Sequence, residues 1–281
     1  MSAPPRTLPT DGDERTTARA RRRSAARRRS LVVRIAQVAI AVVGIGTWEI
    51  LVRADVMDAF FFPRPSDIAE QIGDWVSDGD IFDHLLITLT EALLALVIGS
   101  VLGLVVGFVL ARWQLLAEIF DPYIKMLNSL PRVVLAPIFL LWFGLGIWSK
   151  VVFGVTLVFF IVFFNTYQGV REVSAVLVNN ARILGAKEGQ MLRHVFLPSA
   201  LTWIFSSLHV SVGFAIVGAV VGEYLGASEG MGYLISEAEG VFDTTGVFAG
   251  MVVLAAVVLV IDLVVHRVER FLLRWKPDGA I

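Results

Sequence analysis

The chain has no cysteine, so disulfides, thiolate metal sites and thiol chemistry are excluded. It also has little charge. Asp, Glu, Lys and Arg make up 17% of its 281 residues, against about 25% in an average soluble domain. No G-x-x-x-x-G-K-[ST] stretch occurs, so the phosphate loop used by many ATP-hydrolysing chains is missing. The four histidines, His84, His194, His209 and His266, show no metal-ligand spacing along the chain, and each reads as solvated or packed. No nucleophile, metal cluster or acid–base pair stands at the edge of an apolar block, which leaves a membrane enzyme without a visible centre.

What is abundant is apolar sequence, 56% of residues, with a mean hydropathy of +0.74. It is gathered into blocks at 31–53, 85–111, 123–146, 149–170, 200–222 and 246–266, each near the length of about 20 residues that spans a bilayer as helix. Pro131 and Pro137 interrupt the third block, and backbone groups freed by proline must be satisfied inside a bundle. The reading is an all-α integral membrane protein of about six transmembrane helices. Residues 1–30, with runs at Arg21–Arg23 and Arg27–Arg29, read as a disordered basic tail. Beside a span such a tail is an inner-side anchor rather than a nucleic-acid-binding arm. The stretch Leu31–Val52 is long enough to span and no small-residue cleavage site comes promptly after it, so it is not read as a cleaved signal peptide. Residues 31–276 then form the membrane domain and 277–281 a short tail.

Charge placement orients the spans. Basic residues gather in the tail, at Arg171, Arg182, Lys187 and Arg193, and at Arg267, Arg270, Arg274 and Lys276. Segment 54–84 carries eight acids against Arg64, and segment 223–245 carries five acids with no lysine or arginine. Both termini and the loop 171–199 are therefore expected in the cytoplasm, with 54–84 and 223–245 outside. Within 54–84, Pro65-Ser66-Asp67 marks a helix start, and Ile68, Ile72, Trp75 and Val76 share one face, the pattern of an interfacial helix.

The loop 171–199 is the informative segment. Helix formers run from Val173 to Leu184, Gly185 supplies a turn, a second short helix reaches Phe196, and Pro198 stands where a new helix begins. From the residues alone, a knob that inserts into a soluble partner and a plain amphipathic connector stand equally.

Asn179-Asn180-Ala181, three residues, Gly185, nine residues, then Val195-Phe196-Leu197-Pro198 resembles the EAA loop of bacterial ABC importer permeases, whose pattern is E-A-A, Gly and Ile-x-Leu-Pro at these spacings. The asparagines replace the acidic Glu and first Ala, so no salt bridge from that Glu carries over. Ser129-Leu130-Pro131, Ala136-Pro137, Leu141-Trp142-Phe143-Gly144-Leu145-Gly146, Ser149-Lys150 and Asn165-Thr166-Tyr167-Gln168-Gly169-Val170 look like the nitrate/sulfonate/taurine-type permeases of the binding-protein-dependent transport inner membrane component family. So do Gly222-Glu223-Tyr224-Leu225-Gly226-Ala227, Gly230-Met231-Gly232-Tyr233-Leu234-Ile235 and Val247-Phe248-Ala249-Gly250, and the match runs from about residue 60 to 276. Gly99, Gly103 and Gly107 match the family's spaced glycines, with Ala95 in place of another. Small residues four apart on one face also permit close helix contact.

The resemblance implies a type I ABC importer permease bundle in the bacterial cytoplasmic membrane, paired with a second copy, fed by an extracytoplasmic solute-binding protein and driven by cytoplasmic ATPase subunits. It implies that Asn179, Asn180, Ala181, Gly185, Ala186, Lys187, Glu188, Leu197 and Pro198 form the ATPase-coupling loop. It also implies that this chain binds no cofactor, ATP and Mg belonging to the ATPase. The solute would be a small anion such as a sulfonate, taurine, nitrate or a carboxylate, with a thiamine-precursor-like heterocycle as the other reading.

Ionisable groups inside spans are costly unless paired or wetted. Glu49 and Glu91 read as interface acids, Asp262 and His266 as a local pair one helical turn apart, and Glu223 with Tyr224, Asn165 and Trp142 as candidates for the translocation path or gate. Asn165, Thr166 and Tyr167 are expected to hydrogen-bond between helices, and Phe159, Phe160, Phe163 and Phe164 to pack or face lipid. A secondary transporter would favour inverted repeats and ion-coupling carboxylates or broken helices at the midplane, whereas the halves show no convincing repeat and the acids cluster at the outer side. Single cysteines test the orientation, since the native chain has none. Ser77→Cys should react with an impermeant maleimide in intact cells and Ser174→Cys only after permeabilisation; the reverse pattern would invert the topology.

Overall fold

The computed structural model describes residues 11–272. Contacts divide the chain into two units, Met1–Ser66 and Asp67–Ile281. In the first, helix α1 runs over Asp11–Arg53, and its stretch Leu31–Arg53 is apolar and long enough to cross a membrane. The basic segment expected to be disordered is thus helical from Asp11 onward. Alanine and arginine are strong helix formers, and extending an existing helix avoids the cost of nucleation. Residues 1–10 of that tail, and the short tail 277–281, lie outside the described residues.

Glu49 has a more definite task than an acid resting at an interface. It accepts hydrogen bonds from Arg53 Nε at 2.6 Å and from Ser66, the backbone N–H at 3.1 Å and Oγ at 2.9 Å. Ser66 lies in the first turn of α2 (Pro65–Asp78), so Glu49 satisfies an otherwise orphaned helix N–H. The helix starts where the sequence places it, with Pro65 at a position that needs no N–H. Ile68 on its apolar face is buried, while Val76 is exposed.

The second unit continues with α3 (Asp80–Arg112), α4 (Gln114–Ser129), a 3₁₀ turn at Arg132–Leu135, α5 (Ala136–Phe143) and α6 (Ile147–Arg171). It ends with α7 (Ala175–Ile183), α8 (Glu188–Met191), a π-helical turn at Leu192–Phe196, α9 (Leu197–Leu225), α10 (Met231–Gly240) and α11 (Thr244–Leu272). No strand occurs among the described residues. Among the described residues five helices are long and apolar enough to span, and α4 with α5 makes a sixth crossing if its two arms, bent by 84°, count as one. The block expected as a span at 123–146 is therefore neither straight nor bounded as read. Its first arm begins at Gln114, and it breaks at Leu130, which takes the extended backbone (φ −66°, ψ 133°) that a succeeding proline favours.

Helix α6 is the centre, lying between α3 and α9. Half of the most apolar stretch of α6 and of α9 is buried, against 11% for α11. The spaced glycines of α3 make the contact with α6. A Cβ on Gly103 would stand 2.7 Å from the Phe159 carbonyl oxygen, and one on Gly107 would stand 2.7 Å from that of Phe163. Where Ala95 replaces a glycine, the partner helix supplies the room, because its methyl sits 2.6 Å from where a Cβ on Gly154 would be. Gly154 also faces Gly218 of α9, whose Cβ would lie 2.5 Å from the Gly154 Cα. Apolar side chains of the three helices, among them Ala92, Val158, Val162, Val212 and Ala215, fill the space around these contacts. The nearest neighbours of a Cβ at Gly103 are backbone and cannot rotate away. Gly103→Val should therefore destabilise the bundle by about 1–3 kcal/mol, the usual cost of overpacking, read as a lowered unfolding midpoint in detergent. Gly73→Ala, inside α2 with open space around it, should not lower the midpoint and should raise it slightly, since alanine is the better helix former.

Candidate functional site

Two regions of the second unit carry chemistry, one at each end of the bundle. At the end where α6 stops and α9 starts, α7 and α8 form the protruding element. Helix α7 closes with Gly185 in the left-handed region, φ +80°. The Gly185 N–H donates to the Arg182 carbonyl at 2.9 Å and the Ala186 N–H to the Ala181 carbonyl at 3.0 Å. That pair of bonds is the Schellman closure, which a glycine at this position allows at little cost. Ile183 and Leu184 stand out at the tip, 82% and 86% exposed. Asn179, Asn180, Lys187 and Glu188 are exposed as well.

The inner side of the element is a small core of its own. Val170, Met191, Phe196, Ala200 and Ile204 are buried together, with Ala181 and Ala186 packed against them. Arg112, at the end of α3, pairs with Glu188 at 2.6 Å and lies over the Phe196 ring at 4.4 Å. The expected second short helix does not end before Pro198. From Glu188 the chain stays helical without interruption to Leu225, passing through the π turn. The Leu197 N–H bonds the Leu192 carbonyl five residues back, and this wider turn carries the helix past Pro198, which has no N–H to give. A 310 Å³ hollow beside the turn is lined by Leu184, Gly185, Gln190 and His194.

At the opposite end, Glu223 near the end of α9 is 1% exposed and holds three segments together. It accepts from Thr88 Oγ1 on α3 at 2.7 Å and from the Gly232 N–H at the start of α10 at 2.7 Å. Thr88 accepts in turn from the Met231 N–H at 2.8 Å, and the Gly230 N–H donates to His84 Nδ1 at 2.9 Å. Gly230 has φ +111°, and a Cβ there would collide with the Glu223 carboxyl. Glu91, 2% exposed, faces Glu223 with Lys150, 3% exposed, beside them. Lys150 Nζ also donates to the Leu145 carbonyl. Glu91 is thus not an interface acid. It is buried with Lys150 as the one opposite charge beside it, Glu223 being of like sign, and its Oε2 has no hydrogen-bond partner.

The four residues singled out for a path or gate are not brought together. Glu223 is closed inside one subunit, while Tyr224 faces outward and donates to Glu239 of α10. Trp142, 72% exposed, lies in the last turn of α5. Asn165 lies about 22 Å further along α6 from Lys150, donating to the Ile161 carbonyl of its own helix at 2.9 Å. It lines a 400 Å³ crevice with Asp121, Gln168 and Trp203. The expected interhelical bonds do not form there, since Tyr167 accepts from Arg171 of the same helix and Thr166 Oγ1 is buried without a partner. Phe163 packs in the core between Phe159 and Tyr167. Asp262 and His266 do not form the expected pair either, because Asp262 bonds His209 of α9 instead.

A bundle of apolar helices with a two-helix knob at one end is the architecture of an all-α membrane protein. Residues 85–275 match the family of binding-protein-dependent transport system inner membrane components. The chain is 36% identical over 233 residues to the putative aliphatic sulfonates transport permease protein SsuC of Bacillus subtilis (strain 168), covering 83% of this chain and 84% of that protein. It is 33% identical over 229 residues to the formylaminopyrimidine transport permease protein ThiX of Halalkalibacterium halodurans, covering 82% and 91%. Its fold resembles an inward-facing structure of the MetNI methionine ABC transporter, with TM-score 0.59 and 20% identity over 66% of this chain and 92% of that one. The chain belongs to this inner membrane component family and is an ABC importer permease.

The geometry around Glu223 makes a measurable demand. Glu223→Leu strands the Gly232 N–H in a buried site, at about 1–3 kcal/mol for the unsatisfied group, and leaves the Thr88 hydroxyl only the His84 carbonyl, 3.1 Å away, to donate to. Glu223→Gln keeps one carbonyl acceptor and should lose less. Unfolding midpoints of the two variants in one detergent should fall in that order; a Leu variant as stable as the parent would mean that Glu223 holds nothing.

Proposed function

We propose that this chain is the pore-forming half of an importer that brings a small organic anion, a sulfonate in the first instance, into the cytoplasm, and that α7 and α8 receive the ATPase. The observation that carries the reading is the continuous helix from Glu188 to Leu225, which joins the exposed Ile183–Leu184 tip to a central span. A tip held against α9 by Met191 and Phe196, and against α3 by Arg112–Glu188, moves with those helices rather than flapping on a loop. Exposed apolar side chains at the end of a protrusion are what a cleft on a soluble partner would bury.

In this reading both termini and α7–α8 face the cytoplasm, a second copy completes the pore, and a binding protein delivers solute at the α10 end. ATP and Mg sit on the partner, and this chain holds no cofactor. The sulfonate class rests on the name of the Bacillus relative. The formylaminopyrimidine relative supports a heterocycle as the other substrate class, because its identity to this chain is nearly as high.

Gly185→Asp adds a Cβ at φ +80° and a charge at the tip. With its partner ATPase and binding protein in proteoliposomes, this variant should insert normally, retain less ATPase on purification and lose most uptake of a labelled alkanesulfonate. Gly189→Asp, at a glycine with open space around it, should keep both. Full uptake and full ATPase retention in the Gly185 variant would take the loop out of the mechanism. Competition by excess aminopyrimidine, without competition by taurine, would move the solute to the heterocycle class.

A further inference from the structure

Between α9 and α11, three metal-ligating groups converge from two helices. His209 of α9, with His266 and Glu269 of α11, places Nε2, Nδ1 and a carboxylate oxygen all within 4.8 Å of one another. Glu269 Oε2 is 2.7 Å from His209 Nε2 and 3.4 Å from His266 Nδ1. Ligand atoms around a tetrahedral zinc lie about 3.3 Å apart, given bonds of roughly 2.0–2.1 Å. The trio therefore needs only side-chain adjustments of that order to enclose an ion. Behind it, Asp262 Oδ1 stands 3.1 Å from His209 Nδ1. With the proton on Nδ1, His209 donates to Asp262 and turns the Nε2 lone pair toward Glu269. A carboxylate behind a ligating imidazole fixes the ring's tautomer and orientation and raises its basicity.

We infer that His209, His266 and Glu269 bind a divalent transition-metal ion of the zinc class, with Asp262 orienting His209, and that the ion clamps α11 to α9. Two features separate this from a mere ion-pair cluster. An imidazolium at position 209 already satisfies both carboxylates by itself, so the second imidazole has no role in such a pair. Yet His266 aims its Nδ1 at the same Glu269 oxygen, with the two rings 5.7 Å apart between centroids. Two charged imidazoles that close repel, whereas two neutral ones can share a cation. The side chains are also 25%, 46% and 22% exposed, which leaves room for a fourth ligand on the ion. Cysteine is absent from the chain, so no thiolate competes.

The experiment uses the full-length chain with any affinity tag removed, chelator-stripped in detergent, titrated with zinc by calorimetry and with cobalt(II) by its visible absorption. One ion per chain and a tetrahedral cobalt spectrum are expected. His266→Ala and Glu269→Gln should each abolish the cobalt signal. Asp262→Asn should weaken zinc about 10–100-fold while leaving the stoichiometry at one. His194→Ala, which removes a histidine elsewhere, should change nothing. His266 is half exposed, so its removal should leave the chain folded, as a symmetrical size-exclusion peak would report. Zinc binding equal in the parent and the His266→Ala variant, or no saturable binding in the parent, would overturn the site.

Discussion

Lipid gives apolar helices no reward for touching, because a neighbouring chain is no more apolar than the hydrocarbon it displaces. The central spans α3, α6 and α9 must be held by dispersion forces at short range, and range is set by what stands between the backbones. Along α3 there is almost nothing: Gly99, Gly103 and Gly107 let α6 come within Cβ distance of its main chain. At Gly154 and Gly218 the same is true of α6 and α9. The bundle's geometry results from that approach, since a helix pinned at several glycines cannot slide or roll without driving side chains into backbone. The peripheral helix α11 has few buried residues, and its close glycine contacts, at Gly246 and Gly250, are with α10 rather than with the three central helices.

Fixing three backbones in this way also fixes what can be buried between their ends. Thr88, Glu91, Lys150 and Glu223 come from α3, α6 and α9, and all four are within 3% exposure. Gly222 belongs to the same arrangement, because a Cβ there would meet the Lys150 stem at 2.6 Å. The carboxyl of Glu223 then does for the segment between α9 and α10 what secondary structure cannot, accepting the Gly232 N–H directly and organising the Met231 N–H through Thr88. The turn between α9 and α10 is thereby tied to the rigid core rather than left to find its own conformation, which explains a glycine at position 230 where φ is positive and the carboxyl is packed against it.

Much of this was legible in the sequence, and the parts that were not share a physical cause. Apolar blocks with small residues four apart marked the spans and the contacts of α3, because those signals are local and periodic. The resemblance of the loop and of the ordered motifs led to the correct family. The bend in the third block was half visible in Pro131, but its angle depends on what α5 packs against, Phe153 and Leu157 among others. Position along its own helix alone puts Glu91 at the interface. Its partners lie on two others, Glu223 more than a hundred residues away. Lys150 carried the missing signal, a lysine within an apolar block that needed a counter-charge. The cluster of His209, His266 and Glu269 leaves no ligand spacing along the chain for the same reason, since its members come from two helices.

In the function proposed here for the knob, a capping role and a transmitting role coincide. A Schellman closure at Gly185 terminates α7 firmly, and taken alone it is only a helix end. The segment beyond Gly185 gives that helix end a second role. A flexible linker in its place would absorb any push on the tip within a few residues. Here the chain re-enters helix at Glu188 and does not leave it until Leu225. Pro198 is the one position where that continuity should fail, and the π turn at Leu192–Phe196 removes the failure by shifting the bonding pattern to Leu192–Leu197. A wide turn is less stable than an α turn, so its presence here marks a place where uninterrupted helix matters more than local bonding. With Ala181 and Ala186 packed on Met191 and Phe196, the cap, the wide turn and the first turns of α9 form one piece. Force applied at Ile183 and Leu184 has no softer path than α9 itself.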